Sequence, residues 1–294
     1  MRRLRRSWDL KHSRTWKTEA LAGKIRKIYK MRKKGRKKKN RNVAGLAELY
    51  AHRGYHDKPE IPENSMAAFR RAIEYGLPTE IDVHLIADGS LVVFHDDDLE
   101  RETGVKGAIE DYDLSNLRKL RLEGTDEVIP TFDEVLDLYE DTALPLLIEL
   151  KVVRGNHRAL TEAVCRRLDS YKGPFALQSF DPRVLIDVRK FRPGITRGQL
   201  AKNFHKASEG LPFYQVALLS NMALNILAKP DFISYKFLDR DNRVLRRSVD
   251  KKGTAEASWT IRTPRAFRAA LNAGCVPIFE QIEPEDLAAI RRDR

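Results

Sequence analysis

AHRGYHD (Ala51–Asp57), PENSMAAFRRAIEYG (Pro62–Gly76) and EIDVHLIADGSLVVFHD (Glu80–Asp96) follow one another with little between them. EIDV is a short apolar run broken by Glu80 and Asp82, and it reads as a buried strand. Successive strand side chains alternate faces, so both carboxylates point the same way. Two carboxylates on one buried face repel unless a cation sits between them, and an oxygen donor set suits a hard ion such as magnesium or calcium. The segments VHLIA and SLVVFH flank Asp88–Gly89, a two-residue hairpin signal. A parallel crossover needs about a dozen residues or more, so no helix fits there. With Asp88 and Gly89 as the whole loop, Asp82 falls opposite His95, and the hairpin delivers an imidazole to the carboxylate pair.

The chain has 294 residues and a net charge of +13, but that charge is unevenly spread. Residues 1–46 hold 19 Lys/Arg against two acids, whereas the other 248 hold 36 against 40. The basic character therefore belongs to an arm (1–46), and a mildly acidic body (47–294) has the length of one (β/α)8 barrel, about 250 residues. In the arm, Leu21, Ile25, Ile28 and Met31 make a narrow amphipathic stripe, and MRKKGRKKKNR is nearly continuous charge. Two readings stand: attraction to an anionic surface, membrane in preference to nucleic acid, or a solubilising tail. Cys165 and Cys275 have no metal-site spacing and read as buried thiols of a reducing compartment. No secretory signal and no run of about 20 apolar residues is evident. The expected location is cytoplasmic, peripheral to the inner face of the membrane where the arm attaches.

Beyond the arm, strands and helices alternate. ELYAHR is the first strand, and Asn64 or Ser65 caps a helix buried through Met66, Phe69 and Ile73 and closed by Gly76. EIDV follows, then the hairpin and an irregular stretch (99–130) with a short helix near Ser115–Leu120. Thr131 and Glu134 make a capping box. LPLLIELK, PFALQSF, GITRGQL, PDFISY, ASWTIR and CVPIFE complete eight strands, and Thr263–Pro264 opens a late helix. No G-x-G-x-x-G follows the first strand, so a closed parallel barrel is favoured over an open doubly wound sheet. The apolar stretch 211–229 reads either as a barrel helix or as a lid touching membrane or substrate.

Barrel active sites lie at the C-terminal strand ends. His52 and Arg53 end strand one, Glu80 and Asp82 lie on strand two, Glu149 and Lys151 end the next, and Trp259 is on the seventh. Three carboxylates for a metal, two cations for a phosphodiester and histidines to move protons converge on phosphate-ester chemistry.

The motifs HRG, PEN-S-x3-F, E-x-D-V, DG-x-LVVFHD, IELK, SF and WTIR occur in an order that resembles the glycerophosphodiester phosphodiesterase family, over roughly residues 50–280. The resemblance implies a TIM barrel that hydrolyses glycerophosphodiesters to an alcohol and glycerol 3-phosphate. It implies one divalent cation held by Glu80, Asp82 and Glu149, His52 and His95 as the acid/base pair, and Lys151 on the phosphoryl oxygens. Arg53 is expected to face phosphate, Trp259 to line the glycerol pocket or fill the core, His84 to stand outside the chemistry, and Glu63 and Asn64 to brace the first loop. The ending CVPIFEQIEP departs from the D-G-x-x-T-D-x-P of many members, which places Glu280 at the rim. Two competing functions are a phospholipase-D-like lyase that acts on lysophospholipids and releases a cyclic phosphate, and a catalytically idle protein of the membrane surface.

Overall fold

The computed structural model describes residues 43–205 and 212–292. The arm's charge run and stripe lie outside the described residues. Eight parallel strands close on themselves: β1 (Tyr50–Ala51), β2 (Thr79–Leu85), β4 (Leu146–Leu150), β5 (Phe175–Ser179), β6 (Arg197–Ala201), β7 (Phe232–Lys236), β8 (Ala255–Ile261) and β9 (Val276–Phe279). The short β3 (Leu91–Val93) runs antiparallel to β2. Closure comes from β1, which pairs with β9 on one side and with β2 on the other.

The alternation read in EIDV holds around the ring. Ile81, Val83, Ile148, Leu150 and Leu177 face outward into a core shared with the helices. Tyr50, Leu147, Ala176, Phe232, Ala257 and Ile278 fill the interior below the mouth. Burying each of Leu147, Phe232 and Ile278 contributes roughly 1.5–3 kcal/mol, so the barrel floor is a packed core and leaves the C-terminal rim for ligands.

The covering helices start where the caps are. In α1 (Met66–Glu74) Ser65 accepts from the Ala68 amide, so Ser65 rather than Asn64 is the cap. The Thr131–Glu134 capping box opens α2 (Phe132–Tyr139). Helix α3 (His157–Leu168) follows β4, and Asp181 caps α4 (Pro182–Phe191). Helix α5 (Phe213–Ser220) precedes β7, Thr263 caps α6 (Pro264–Asn272), and α7 (Pro284–Arg292) closes the chain. Cys165 and Cys275 are buried free thiols.

Four sequence expectations change in detail. The first strand shrinks to two residues because the chain turns at Arg53 and Gly54, which have φ of 54° and 86°. The short helix of the irregular stretch is a single turn, Leu114–Leu117, and the stretch is ordered by its own small core, in which Leu99, Ile109, Leu117 and Ile129 pack on Ile86, Val92 and Phe94. From residue 212 on, the apolar stretch is two short helices between β6 and β7, α5 and Asn225–Ala228, split by a turn: Val216 and Ala228 are buried, while Phe213 and Ile226 each remain 81% exposed.

The hairpin register differs by one residue. Val83 pairs with Val93 and Leu85 with Leu91, so Asp82 stands opposite Phe94 and not His95. The loop holds three residues, Ala87, Asp88 and Gly89. Asp88 accepts from the Ser90 and Leu114 amides, and Gly89 sits at φ 85°, the left-handed position that ends a three-residue hairpin loop.

Candidate active site

Three acids share one level of the barrel interior. Asp82 is in register with Glu149, and Glu149 with Gln178, across β2, β4 and β5. Glu80, Asp82 and Glu149 each offer an oxygen within 4.8 Å of the others, and they are 1%, 1% and 6% exposed. At an effective dielectric of 20, each pair of full charges at that separation repels by about 3 kcal/mol. Burial, followed by repulsion from Asp82 and Glu149, raises the Glu80 carboxyl well above its ordinary range. Burial likewise raises Glu149, although Lys151 opposes it. In Asp82 burial also acts upward, but His95, Lys151 and Arg53 outweigh it and hold the group below the usual carboxylate range. Asp82 Oδ1 is buried and accepts no hydrogen bond. A divalent cation fits this set: three oxygen donors, an orphaned lone pair, and charge repulsion that a dication removes.

The remaining contacts fix each acid. Glu80 accepts from the Arg53 amide at 3.1 Å and from Gln178 Nε2 at 3.3 Å. Asn64 Nδ2 donates to Asp82 Oδ2 at 2.9 Å. Lys151 Nζ lies 3.2 Å from Glu149 and 3.7 Å from Asp82. The Arg53 amide reaches Glu80 because HRG turns through positive φ there. A Cβ on Gly54 would come within 2.7 Å of the Ala68 Cβ, so glycine is required both for the turn and for contact with α1.

Both histidines reach the same cleft, which is lined by His52, Arg53, Glu80, His95 and Glu149 on one wall and by Gln178, Phe180, Leu200, Trp259 and Ile278 on the other. His52 Nδ1 is 2.8 Å from Glu280 Oε2, and its Nε2 is 4.0 Å from Glu80. Glu280 also takes Arg262 and lies 3.7 Å from His56 Nε2. Burial would raise the Glu280 carboxyl, but its bond to His52 and the nearby His56 and Arg262 hold it well below the ordinary range. An ionised carboxylate only accepts, so His52 Nδ1 carries the proton and Nε2 is left with a lone pair. Burial, assisted by the charge of Arg53, lowers the His52 imidazole to about 4.

His95 arrives by a different route from the one the hairpin register predicts. Strand β3 ends at Val93, the Phe94 amide bonds to the Asp82 carbonyl, and the chain bends at His95. Its Nδ1 is 2.5 Å from Asp96 Oδ1. Arg101 then links Asp96 to Glu63, and Arg53 Nη1 donates to the same Glu63 oxygen at 2.6 Å.

Of the residues read from sequence, the structure brings His52, Arg53, Glu80, His95, Glu149 and Trp259 to the cleft, with Asp82 and Lys151 directly behind. His84 is buried 3.5 Å from Glu110 and lines no part of it. Gln178 and Arg101 carry no expectation from the sequence, and Phe180 and Asp96 enter it only as members of the SF and DG-x-LVVFHD motifs. Gln178 had a signal, since it lies two residues before the end of an apolar strand and shares the parity of the mouth.

The profile of the Glycerophosphoryl diester phosphodiesterase family matches residues 52–280. A glycerophosphodiester phosphodiesterase of Caldanaerobacter subterraneus subsp. tengcongensis is 30% identical over 255 residues, covering 83% of this chain and 97% of that one. The chain belongs to this family. Among solved structures, an Oleispira antarctica phosphodiesterase in complex with the product sn-glycerol-3-phosphate superposes with a TM-score of 0.69 at 25% identity, covering 83% of this chain and 97% of that chain. A human lysophospholipase D is 34% identical over 139 residues, 43% of this chain and 42% of its own length. Enzymes of the glycerophosphodiester phosphodiesterase family are metal-dependent phosphoric diester hydrolases, and the acidic triad here could hold a metal ion.

Proposed function

We propose that residues 47–294 hydrolyse glycerophosphodiesters to an alcohol and glycerol 3-phosphate, with Glu80, Asp82 and Glu149 as the ligands of one divalent cation and His52 and His95 as the proton carriers. The observation that carries this reading is the convergence of three buried carboxylates beside two histidines, each braced by a carboxylate of its own. Magnesium or calcium suits a donor set made only of oxygen, and when bound it supplies positive charge to the phosphoryl oxygens.

The chain's own groups do the rest. His52 is the base of the first step, because its Nε2 lone pair faces the cleft while Nδ1–H is donated to Glu280. It takes the proton of the glycerol hydroxyl that attacks phosphorus. His95, held through Nδ1 by Asp96, gives a proton to the departing alkoxide. In the second step the roles reverse: His95 takes a proton from water, and His52 protonates the glycerol oxygen as the cyclic phosphate opens. Lys151 balances charge on the phosphoryl group. Arg53, whose Nε lies 3.6 Å from Asp82 Oδ2, adds a second positive charge beside the phosphoryl group. Trp259 and Phe180, edge-on at 5.6 Å, wall the organic part of the substrate.

The test is turnover of glycerophosphocholine by His52→Ala and His95→Ala, with the fold checked by circular dichroism. Each loses about 10²–10⁴-fold in kcat, the usual scale of acid/base catalysis. Activity near wild type in either removes that histidine from the mechanism. The basic arm, residues 1–46, is proposed as an electrostatic attachment to anionic membrane, outside the chemistry.

A further inference from the structure

Helix α5 turns its apolar residues the wrong way for a core. Val216 and Ser220 are buried, whereas Phe213 is 81% exposed and Tyr214 and Leu218 are exposed with it. Phe213, Tyr214, Ala217 and Leu218 recur at the helical repeat and make one outward face. The Ala223 amide then bonds to the Leu218 carbonyl at 3.0 Å, which closes the turn into the Asn225–Ala228 helix. There Ile226 is again 81% exposed and Leu227 is exposed beside it, while Ala228 is buried. Five large apolar side chains thus meet solvent on one crossover, and none of them lines the cleft. A cluster of that kind marks a contact surface.

Charge identifies the partner. No Asp or Glu occurs from residue 212 to residue 230. Exposed Lys229 and Arg189 stand at the edge, and Arg189 Nη1 donates to the Leu227 carbonyl at 2.7 Å. The basic arm leaves the body close by. Thr196 Oγ1 donates to the Ala44 carbonyl at 2.6 Å, and the next residue, Arg197, donates to the carbonyls of Ala228 and Lys229 at 3.1 Å each. The start of β6 therefore holds the root of the arm and the second apolar helix together. The arm itself is a poor cover, because its 19 Lys/Arg would meet that basic edge. A lipid surface suits both parts: anionic headgroups take the arm and the edge cations, and the acyl boundary takes the apolar side chains.

We propose that α5 and the Asn225–Ala228 helix form a lipid-inserting surface that seats the barrel on an anionic bilayer beside its basic arm. This rests on the attachment proposed for the arm and is independent of the hydrolase reading.

The experiment is cosedimentation of the full chain with phosphatidylcholine vesicles containing phosphatidylglycerol, at low salt and at a salt high enough to screen the arm. The wild type is expected to stay bound in part at high salt. Phe213→Ser/Ile226→Ser/Leu227→Ser weakens that residual binding by about tenfold or more, the scale of three apolar side chains left in water, with an unchanged circular dichroism spectrum. Ile226→Trp binds more tightly than the wild type, and vesicles shift its added emission to the blue and expose it to quenching by brominated lipid. Complete release of the wild type at high salt, or binding that the serine substitutions leave intact, overturns the surface and leaves the arm's attachment standing. An Ile226→Trp emission already blue-shifted without vesicles also overturns it, since the arm or a second copy of the chain then covers the site. No binding by the wild type at either salt overturns the surface and the arm's attachment together.

Discussion

His52 stands between two carboxylates that make different demands on it. Glu280 accepts a hydrogen bond from Nδ1–H and so fixes the tautomer, while Glu80, 4.0 Å from Nε2, belongs to the acidic cluster. A glutamine at 280 can present either its oxygen or its amide group to Nδ1 and no longer dictates where the proton sits. Glu280→Gln is therefore expected to lower kcat at least tenfold with a smaller change in KM, measured on a soluble glycerophosphodiester. Equal losses in both, or none, would show that Glu280 does not set the state of His52. The position was visible in the sequence only as a departure from the D-G-x-x-T-D-x-P ending. Its partner lies 228 residues away, and nothing local in CVPIFEQIEP announces His52.

At the scale of elements, the hairpin and the loop after β1 are tied together by charge. Glu63 accepts from Arg53 and Arg101 and lies 2.9 Å from Lys58. Burial alone would raise its pKa, but Arg53, Arg101 and Lys58 depress it well below the ordinary carboxylate range. A carboxylate depressed in the folded state stabilises the fold at every pH above its unfolded value, and that contribution is lost as pH falls below the usual carboxylate range. The Tm of the wild type is thus expected to fall more steeply than that of Glu63→Gln between pH 5 and acid, measured by thermal melts; parallel curves would contradict it. EIDV and the caps at Ser65 and Thr131 were legible in the sequence because period and capping are local. The hairpin register was not. Asp88–Gly89 looks like a whole two-residue loop, but the Asp88 carboxylate is engaged by the Ser90 and Leu114 amides, and Ala87 joins the loop. His95 still reaches the cleft because it lies past the end of β3, where cross-strand pairing no longer governs side-chain direction.

The whole molecule separates its charge from its chemistry. Among the described residues no helix is long and apolar enough to cross a membrane, and the large excess of positive charge lies in residues 1–46. Deleting that arm is expected to leave kcat/KM on a soluble substrate within twofold and to weaken cosedimentation with anionic vesicles, more so at low salt, where surface charge is least screened. Unchanged vesicle binding would assign the attraction elsewhere. The barrel itself was legible because eight strand-like runs alternate with helical ones. The network of Asp96, Arg101 and Glu63 was not, because it joins side chains from two separate loops, after β1 and after β3, whose approach no local pattern announces.

The central claim is that buried Glu80, Asp82 and Glu149 hold a dication that the hydrolysis requires. It is tested most directly by phosphorus NMR of glycerophosphocholine incubated with the chain, first with magnesium or calcium and then with excess chelator. The account predicts glycerol 3-phosphate in the presence of the metal, and none in chelator until metal is restored. Undiminished glycerol 3-phosphate in chelator, or a cyclic phosphate that accumulates as the end product with metal present, would contradict it.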